Sequence, residues 1–467
     1  MLHETLLFSS VVELAKRIRS REISPVDLTS SYLNRLERFG PELNAVVTIM
    51  HESAMDSAHM AEREIQSGNY RGPLHGIPYG AKDLLATRGI PTTWGAPPCK
   101  DQVFDFDATV ITRLKSAGAV LIGKLAMLEL AGVGHYRYAS ASLTGPGLNP
   151  WNPTTYTGGS SSGSASAVAA GLVGFSIGSE TWGSIMTPAS FCGVTGLRPT
   201  YGRVSRHGAM TLAWTMDKLG PMCRSVEDCL AVLNATAGYD PNDSSTLVEQ
   251  FTHGSEAQAL QDMRIGVVQE EFDKHGEREV QQGFEEALLV LSQAGAQTRP
   301  VSLPPFPYNE VAEVIIASEA ACSFEPLIRT GKIRELVDTA QQAGVVAGTQ
   351  IKAVDYLKAM RLRTTLKAEF AAVWKNYDVL VGPTSLTVSP SIRGPVHDLY
   401  LTNLIAAGNL LGLPGISVPC GFGKCNLPIG LSVVGPPLEE AKIARVAQFY
   451  QDATGWHRQY PPLFSNI

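Results

Sequence analysis

Two serine-bearing segments and one lysine carry the residues of this chain that could do chemistry. The first, Thr157-Gly158-Gly159-Ser160-Ser161-Ser162-Gly163-Ser164, runs straight into Ala165-Ser166-Ala167-Val168-Ala169-Ala170, a chargeless, helix-forming stretch. Gly/Ser composition alone marks a flexible spacer. A spacer is not followed by a helix that only a protein interior accommodates, so the segment reads as a helix start. Its glycines let the backbone approach closely and aim N–H groups and hydroxyls at one point. The second segment, Phe175-Ser176-Ile177-Gly178-Ser179-Glu180-Thr181-Trp182-Gly183-Ser184-Ile185, is a short apolar strand ending at a glycine-containing turn that carries Ser184. Such a turn exposes a hydroxyl while successive backbone N–H groups face the same spot, as stabilising an oxyanion requires.

A serine hydroxyl stays protonated near neutral pH, so a nucleophilic serine needs a base. None of the ten histidines sits beside either serine segment; His75 and His207 lie nearest to suggestive sequence. Lys82 is better placed, at the end of the small and apolar approach Gly76-Ile77-Pro78-Tyr79-Gly80-Ala81. Burial there disfavours the charged amine and can lower its pKa from about 10.4 by several units, into the range of a general base. Phosphate binding is the first rival chemistry, but neither GxxxxGK[ST] nor a strand-turn-helix GxGxxG is present. The turn at Ser184 is not GxSxG, so an α/β-hydrolase nucleophile elbow does not fit.

The elements around these segments alternate. Ser10 precedes a periodic helix, Val11 to Ser20, and Ser24-Pro25 opens a second. Asp107 to Ala117 reads as a helix ended by Gly118, and Ala119-Val120-Leu121-Ile122 as a buried strand. Helices are expected again at Ser225 to Ala237, Arg278 to Ala294 and Glu439 to Ala453, with strands at Arg264 to Val268 and Val379 to Val381. The fold class is therefore α/β. The polar stretch of about 240–262 reads as a surface excursion within one domain rather than a linker, and no repeat of 20–50 residues occurs.

The chain has 467 residues, 44% apolar and 18% charged, with a formal charge of −6. These are values of a folded protein without general attraction for phosphate backbones, and no basic–aromatic stripe suggests nucleic acid. No apolar run of membrane-spanning length and no secretory leader pattern are found, which makes the cytoplasm the expected location and a membrane an unexpected partner. Seven scattered cysteines without CxxC pairs read as reduced thiols, and no metal site or cofactor is expected.

Taken together, GIPYGAKD, Asn149-Pro150-Trp151 ahead of TGGSSSGSASAVAAG, and GSETWGSIMTPASFCGVTGLRPTYGRVS resemble the amidase signature family, with Ser160 and Ser184 at the family's spacing. The likeness runs from about residue 9 to 235 and resumes at Gly412 to Cys420 and Leu427 to Gly435. It implies one large domain over 1–467 with a mixed central β-sheet flanked by α-helices: N-terminal helices about 9–67, a signature core about 72–235, a less recognisable region about 240–400 and a C-terminal core return about 400–455. It further implies Lys82 as base, Ser184 as nucleophile and Ser160 as bridging serine, with a cis Gly159–Ser160 bond. Ser161 then supports the relay, and the backbone of Thr181, Trp182, Gly183 and Ser184 forms the oxyanion hole. The activity implied is amide hydrolysis through an acyl-enzyme on Ser184, without metal or cofactor, in a homodimer.

The chain departs from the family's usual Asp-x-Gly-Gly-Ser-Ile-Arg: it has Glu180-Thr181-Trp182-Gly183-Ser184-Ile185-Met186. Trp182 replaces a glycine beside the oxyanion hole, and Met186 removes an arginine, leaving Glu180 to find another partner or water. Met127, Tyr138, Trp182, Met186 and Trp214 suggest an apolar substrate pocket for aryl or alkyl amides, with carbamates (urethanes) and esters as further substrates. The family also contains the glutamine-hydrolysing component of tRNA-dependent amidotransferases, in which an acidic residue ahead of the NLxGLP segment holds the glutamine amino group. Thr402 stands at that place here, so a stand-alone amidase is the expectation. A catalytically silent scaffold or binding protein is the alternative of another class.

Overall fold

Short apolar runs between amphipathic helices form the strands of one eleven-stranded sheet in the computed structural model, which describes residues 3–133, 136–251, 260–269, 272, 276–396 and 401–464. In chain order the strands begin with β1 (Val46–Ile49), β2 (Pro78–Lys82) and β3 (Val120–Leu125). A small hairpin follows, β4 (Leu148–Asn149) and β5 (Asn152–Tyr156), outside the main sheet. The core strands are β6 (Phe175–Glu180), β7 (Thr195–Arg198) and β8 (Lys218–Cys223). The C-terminal half adds β9 (Arg264–Val267), β10 (Gln297–Pro300), β11 (Val379–Pro383), β12 (Gly415–Phe422) and β13 (Pro428–Val434).

Their order across the sheet is β1-β3-β2-β6-β8-β7-β12-β13-β11-β9-β10. β2 runs parallel to both β3 and β6, and β9 parallel to both β10 and β11; the other pairs are antiparallel. The sheet is therefore mixed, as expected. β2, β6, β7, β8 and β11 are buried along their whole length, which is why they read as unbroken apolar or small-residue runs rather than alternating ones.

The helices start where their caps are. Ser10 Oγ accepts the Glu13 N–H at 3.1 Å ahead of Val11–Arg19, and Ser225 Oγ accepts from Asp228 ahead of Val226–Thr236. Thr109–Ser116, Arg278–Gln293 and Glu440–Thr454 lie within a residue or two of the expected helices. The described part of the polar stretch is bonded back onto the core. Ser205 and Thr109 hydroxyls each donate to Asp240 at 2.6 Å, and the Leu247 N–H donates to Gly202 O at 3.0 Å. Residues 252–259 of that stretch lie outside the described residues. The less recognisable region supplies the strands at one edge of the sheet and three long helices, of which Tyr308–Ser323 reaches the serine segments.

One glycine of the serine segment has a packing reason. Gly163 sits in the first turn of helix Ser162–Ala169, where a Cβ would lie 2.3 Å from Ala45 O and 2.5 Å from Ala126 N. Both are backbone atoms that cannot swing away, so the helix end carrying Ser160 and Ser161 can approach β3 only without a side chain here. Gly163→Ala is expected to destabilise by about 1–3 kcal/mol, the scale of overpacking, read as a fall in melting temperature; an unchanged melting temperature would refute the close approach.

Candidate active site

Strand register brings the lysine to the serines. β2 and β6 run parallel with Ala81 opposite Ile177, so Lys82 emerges at the same sheet end as Ser179 and the turn that follows it. Helix Ser162–Ala169 begins over that end, with Ser160 and Ser161 immediately ahead of it. Lys82 is fully buried, and its Nζ lies 2.7 Å from Ser160 Oγ, 2.9 Å from Ser179 Oγ and 3.0 Å from Ser161 Oγ. The Gly159–Ser160 peptide bond is cis. Burial pushes the Lys82 amine well below its usual pKa, against the opposing pull of Asp217 and Glu180.

The protons around the amine can be assigned. Ser161 Oγ donates to Ser179 O at 3.2 Å, so toward Lys82 it is an acceptor. A neutral amine has two N–H donors and one lone pair. Donation to Ser161 and Ser179 uses both donors and leaves the lone pair for the Ser160 hydroxyl. The arrangement can therefore draw the Ser160 proton toward nitrogen.

The nucleophile segment lies alongside. The Ser161 N–H donates to Ser184 O at 3.4 Å, while the hydroxyls of Ser160 and Ser184 form no hydrogen bond with each other. In the turn, Gly183 takes the positive φ, +84°, and Trp182 does not. A Cβ at Gly183 would also lie 2.5 Å from Leu401 Cδ2, so the glycine is required at 183 and dispensable at 182. Among the described residues, the backbone N–H groups of Trp182, Gly183 and Ser184 have no acceptor, leaving them able to receive an oxyanion.

Glu180 is held from four directions. Its carboxylate accepts from Ile185 N–H (2.8 Å), Met186 N–H (2.9 Å), Asn409 Nδ2 (2.9 Å) and Arg198 Nη1 (2.8 Å). Burial alone would raise its pKa; Arg198, Lys218 and the Met186 N–H together hold it below the usual carboxylate range. The arginine missing at position 186 is thus replaced in space by Arg198 of β7.

Beside Ser184 opens a cavity of ≈ 330 Å³. Its walls include Gly132, Tyr136, Trp182, Leu212, Ile316 and Leu401, with Thr181, Thr187, Asn309 and Glu313 as polar members. Of the five expected pocket residues only Trp182 lines it. Met127 and Met186 are corrected to core: both are fully buried away from the cavity, Met186 because it starts the helix that closes over Glu180. Tyr138 and Trp214 are corrected to surface, 43% and 58% exposed, because the chain turns outward after each segment's anchored part. Trp182 is partly buried, packing on an apolar cluster that includes Ala312, Ile315 and Leu404 as well as facing the cavity.

Sequence reasoning missed Ser179, Arg198, Asp217 and the wall helix Tyr308–Ser323. Ser179 and Arg198 lie inside the quoted segments, and the strand end at Ser179 was the available signal. The wall helix carries none, since its inward face, Asn309, Ala312, Glu313, Ile316 and Ala317, is an ordinary helical stripe. Among the described residues no group of three or more His, Cys, Asp or Glu could hold a metal ion, and no helix is long and apolar enough to cross a membrane.

Fold and site together define an α/β protein with a serine at a free-N–H turn beside a buried lysine–serine cluster. The family model described as Amidase matches residues 27–443, and the chain belongs to that family, the amidase signature hydrolases of C–N bonds. The GatA-type component of glutamyl-tRNA(Gln) amidotransferase from Cyanothece sp. is 36% identical over 485 residues, covering 97% of this chain and 100% of that protein. Its counterpart from Dehalococcoides mccartyi is 36% identical over 97% of this chain and 99% of its own length. The solved native peptide amidase of Stenotrophomonas maltophilia superposes with a TM-score of 0.85 at 31% identity, covering 98% of this chain and 99% of that one. The preference for a stand-alone amidase over an amidotransferase component is not supported by these likenesses, because full-length relatives carry the amidotransferase name.

Removing Arg198 would leave Glu180 as a buried carboxylate without its cation. Arg198→Met is expected to cost about 3–5 kcal/mol of stability, measured by denaturant unfolding; a loss within error would show that Asn409 and the two N–H groups suffice.

Proposed function

We propose that the chain hydrolyses a carboxamide through an ester formed on Ser184. The single observation that carries the reading is a fully buried lysine whose nitrogen sits 2.7 Å from the Ser160 hydroxyl and faces other hydroxyls rather than a contacting carboxylate. In this reading neutral Lys82 accepts the Ser160 proton as Ser160 accepts that of Ser184. Ser184 Oγ bonds to the substrate carbonyl carbon, and the N–H groups of the 182–184 turn take the oxyanion. The C–N bond breaks as the proton returns along the relay to the leaving nitrogen. Water then attacks the ester by the same path in reverse. Closing the Ser160–Ser184 link is the step asked of substrate binding, as hydrogen bonds of this kind tighten in the Michaelis complex.

The substrate has two readings, each with its own support. Full-length likeness to the glutamyl-tRNA(Gln) amidotransferase components favours glutamine as the amide and companion subunits as partners, ahead of the stand-alone expectation. Two observations favour an aryl or alkyl amide, or a carbamate. The cavity walls are mainly apolar, and Thr402, where the amidotransferase component carries an acid, is buried with its hydroxyl capping helix Asn403–Leu411 by accepting the Ile405 N–H at 3.4 Å. Ammonia release from glutamine, with and without companion subunits and charged tRNA, set against matched anilide, carbamate and ester substrates, separates the two. Glutamine turnover confined to the assembly establishes the first; its absence together with anilide or carbamate turnover establishes the second.

A fluorophosphonate probe tests the chemistry apart from the substrate. Ser184→Ala is expected to abolish labelling and Lys82→Ala to slow it by about 10²-fold or more; equal labelling of Ser184→Ala would remove the nucleophile and return the chain to a silent scaffold. The active amine is the uncharged one, so rates should rise with pH through the Lys82 pKa. Because burial holds that pKa well below 10.5, this acid limb belongs well below the ordinary lysine range. A rate still climbing through pH 10.5 would contradict it.

A further inference from the structure

Asp217 is a buried carboxylate that the mechanism above does not use. β6 and β8 are antiparallel with Glu180 opposite Lys218, and one more step along both strands sets Thr181 opposite Asp217. Thr181 Oγ1 donates to Asp217 Oδ1 at 2.6 Å. From a different segment, the Leu212 N–H donates to Oδ2 at 2.8 Å and the Ala213 N–H to both oxygens at 3.1 Å. Thr181 opens the oxyanion turn and Leu212 is cavity wall, so one side chain ties the two together.

We infer that Asp217 is a positioning residue that fixes the oxyanion turn against the acyl-cavity wall and holds a negative charge close enough to Lys82 to strengthen it as a base. The inference rests on the reading of Lys82 as the base. A hydroxyl and two amides satisfy this carboxylate, and among the described residues no cation forms a salt bridge with it, so its field is not cancelled locally. The charged groups that feel it are Lys82, Lys218 and Arg206. The other carboxylate acting on Lys82, Glu180, is already matched by Arg198 at 2.8 Å. Burial weakens the Lys82 amine, and among the charges opposing that effect Asp217 is the largest. Without it the amine would draw the Ser160 proton less strongly, and the rate would fall even where Lys82 is wholly uncharged.

Asp217→Asn isolates the charge. The amide is isosteric, its oxygen can still accept from Leu212 and Ala213, and its NH2 can donate to Thr181 Oγ1, reversing that bond without breaking it. Fluorophosphonate labelling of Ser184 would be followed against pH in wild type, Lys82→Ala and Asp217→Asn, with melting temperatures alongside. The expected result is an acid limb that Lys82→Ala removes and that Asp217→Asn moves to lower pH by about one unit, the scale of one nearby charge, with a lower plateau. A folded Asp217→Asn whose limb stays in place overturns the inference while leaving the base assignment standing. A wild-type profile without a Lys82-dependent limb fells that assignment and this inference with it. Should Asp217→Asn not fold, Thr181→Val keeps the carboxylate and removes one tie: slower labelling with an unmoved limb supports the positioning role, and a wild-type rate and profile overturn it.

Discussion

The constraint on which the site depends is that one amine must lose its charge inside the protein. An ammonium taken from water into an interior costs several kcal/mol unless a counter-charge meets it, whereas a neutral amine needs only hydrogen-bond partners. Lys82 is offered hydroxyls by Ser160, Ser161 and Ser179. The two carboxylates that act on it are engaged elsewhere, Glu180 by Arg198 and Asp217 by a hydroxyl and backbone amides. Charge is thus near enough to tune the amine and too committed to pair with it. The surrounding small residues then acquire a purpose: serine, glycine and alanine are what fits where two strands and a helix start must all approach one nitrogen.

A second buried lysine shows how much depends on the partner supplied. Lys124 lies opposite Ala81 in the adjacent strand and is equally buried. Its Nζ meets Asp83 Oδ1 at 3.1 Å and donates to Thr92 Oγ1 at 2.7 Å. Burial lowers the pKa of both amines, but at Lys124 the contacting carboxylate opposes the effect directly. Asp83 follows Lys82 at the strand end, yet its side chain is taken up by Lys124 and Thr93 rather than by Lys82. The Lys-Asp dipeptide therefore serves two separate buried networks: an ion pair that fixes the strand end, and an amine kept among hydroxyls.

What the chain disclosed before its structure follows the range over which each signal acts. Caps such as Ser10 and Ser225, and buried strands such as β3, are set within a few residues and were legible. The meeting of Lys82 with Ser160 spans 78 positions and was legible only because the segments resemble a family. Arg198 as partner of Glu180 had no local sign, since only the order of β6, β8 and β7 in the sheet brings them together. The pocket failed for the same reason in reverse. Met127, Met186, Tyr138 and Trp214 were proposed from closeness along the chain, whereas the cavity wall is drawn from a helix more than a hundred residues further on.

That division bears on why the substrate has two readings. The reacting groups and the turn beside them come from the part of the chain that carries the family pattern, whereas much of the cavity wall comes from Asn309 to Ala317 and from Val396 and Leu401, in or bordering the region with no recognisable pattern. Similarity measured over the full length weighs both parts together, so it reports most strongly on the shared chemistry. Trp182 joins them: its backbone belongs to the oxyanion turn, while its indole packs on the cluster around Ala312 and Leu404 and faces the cavity. A glycine there would leave the turn intact, since Gly183 alone bears the positive φ, and would remove only the wall. The indole therefore acts on which acyl group fits, and the amine beneath it on whether that group reacts.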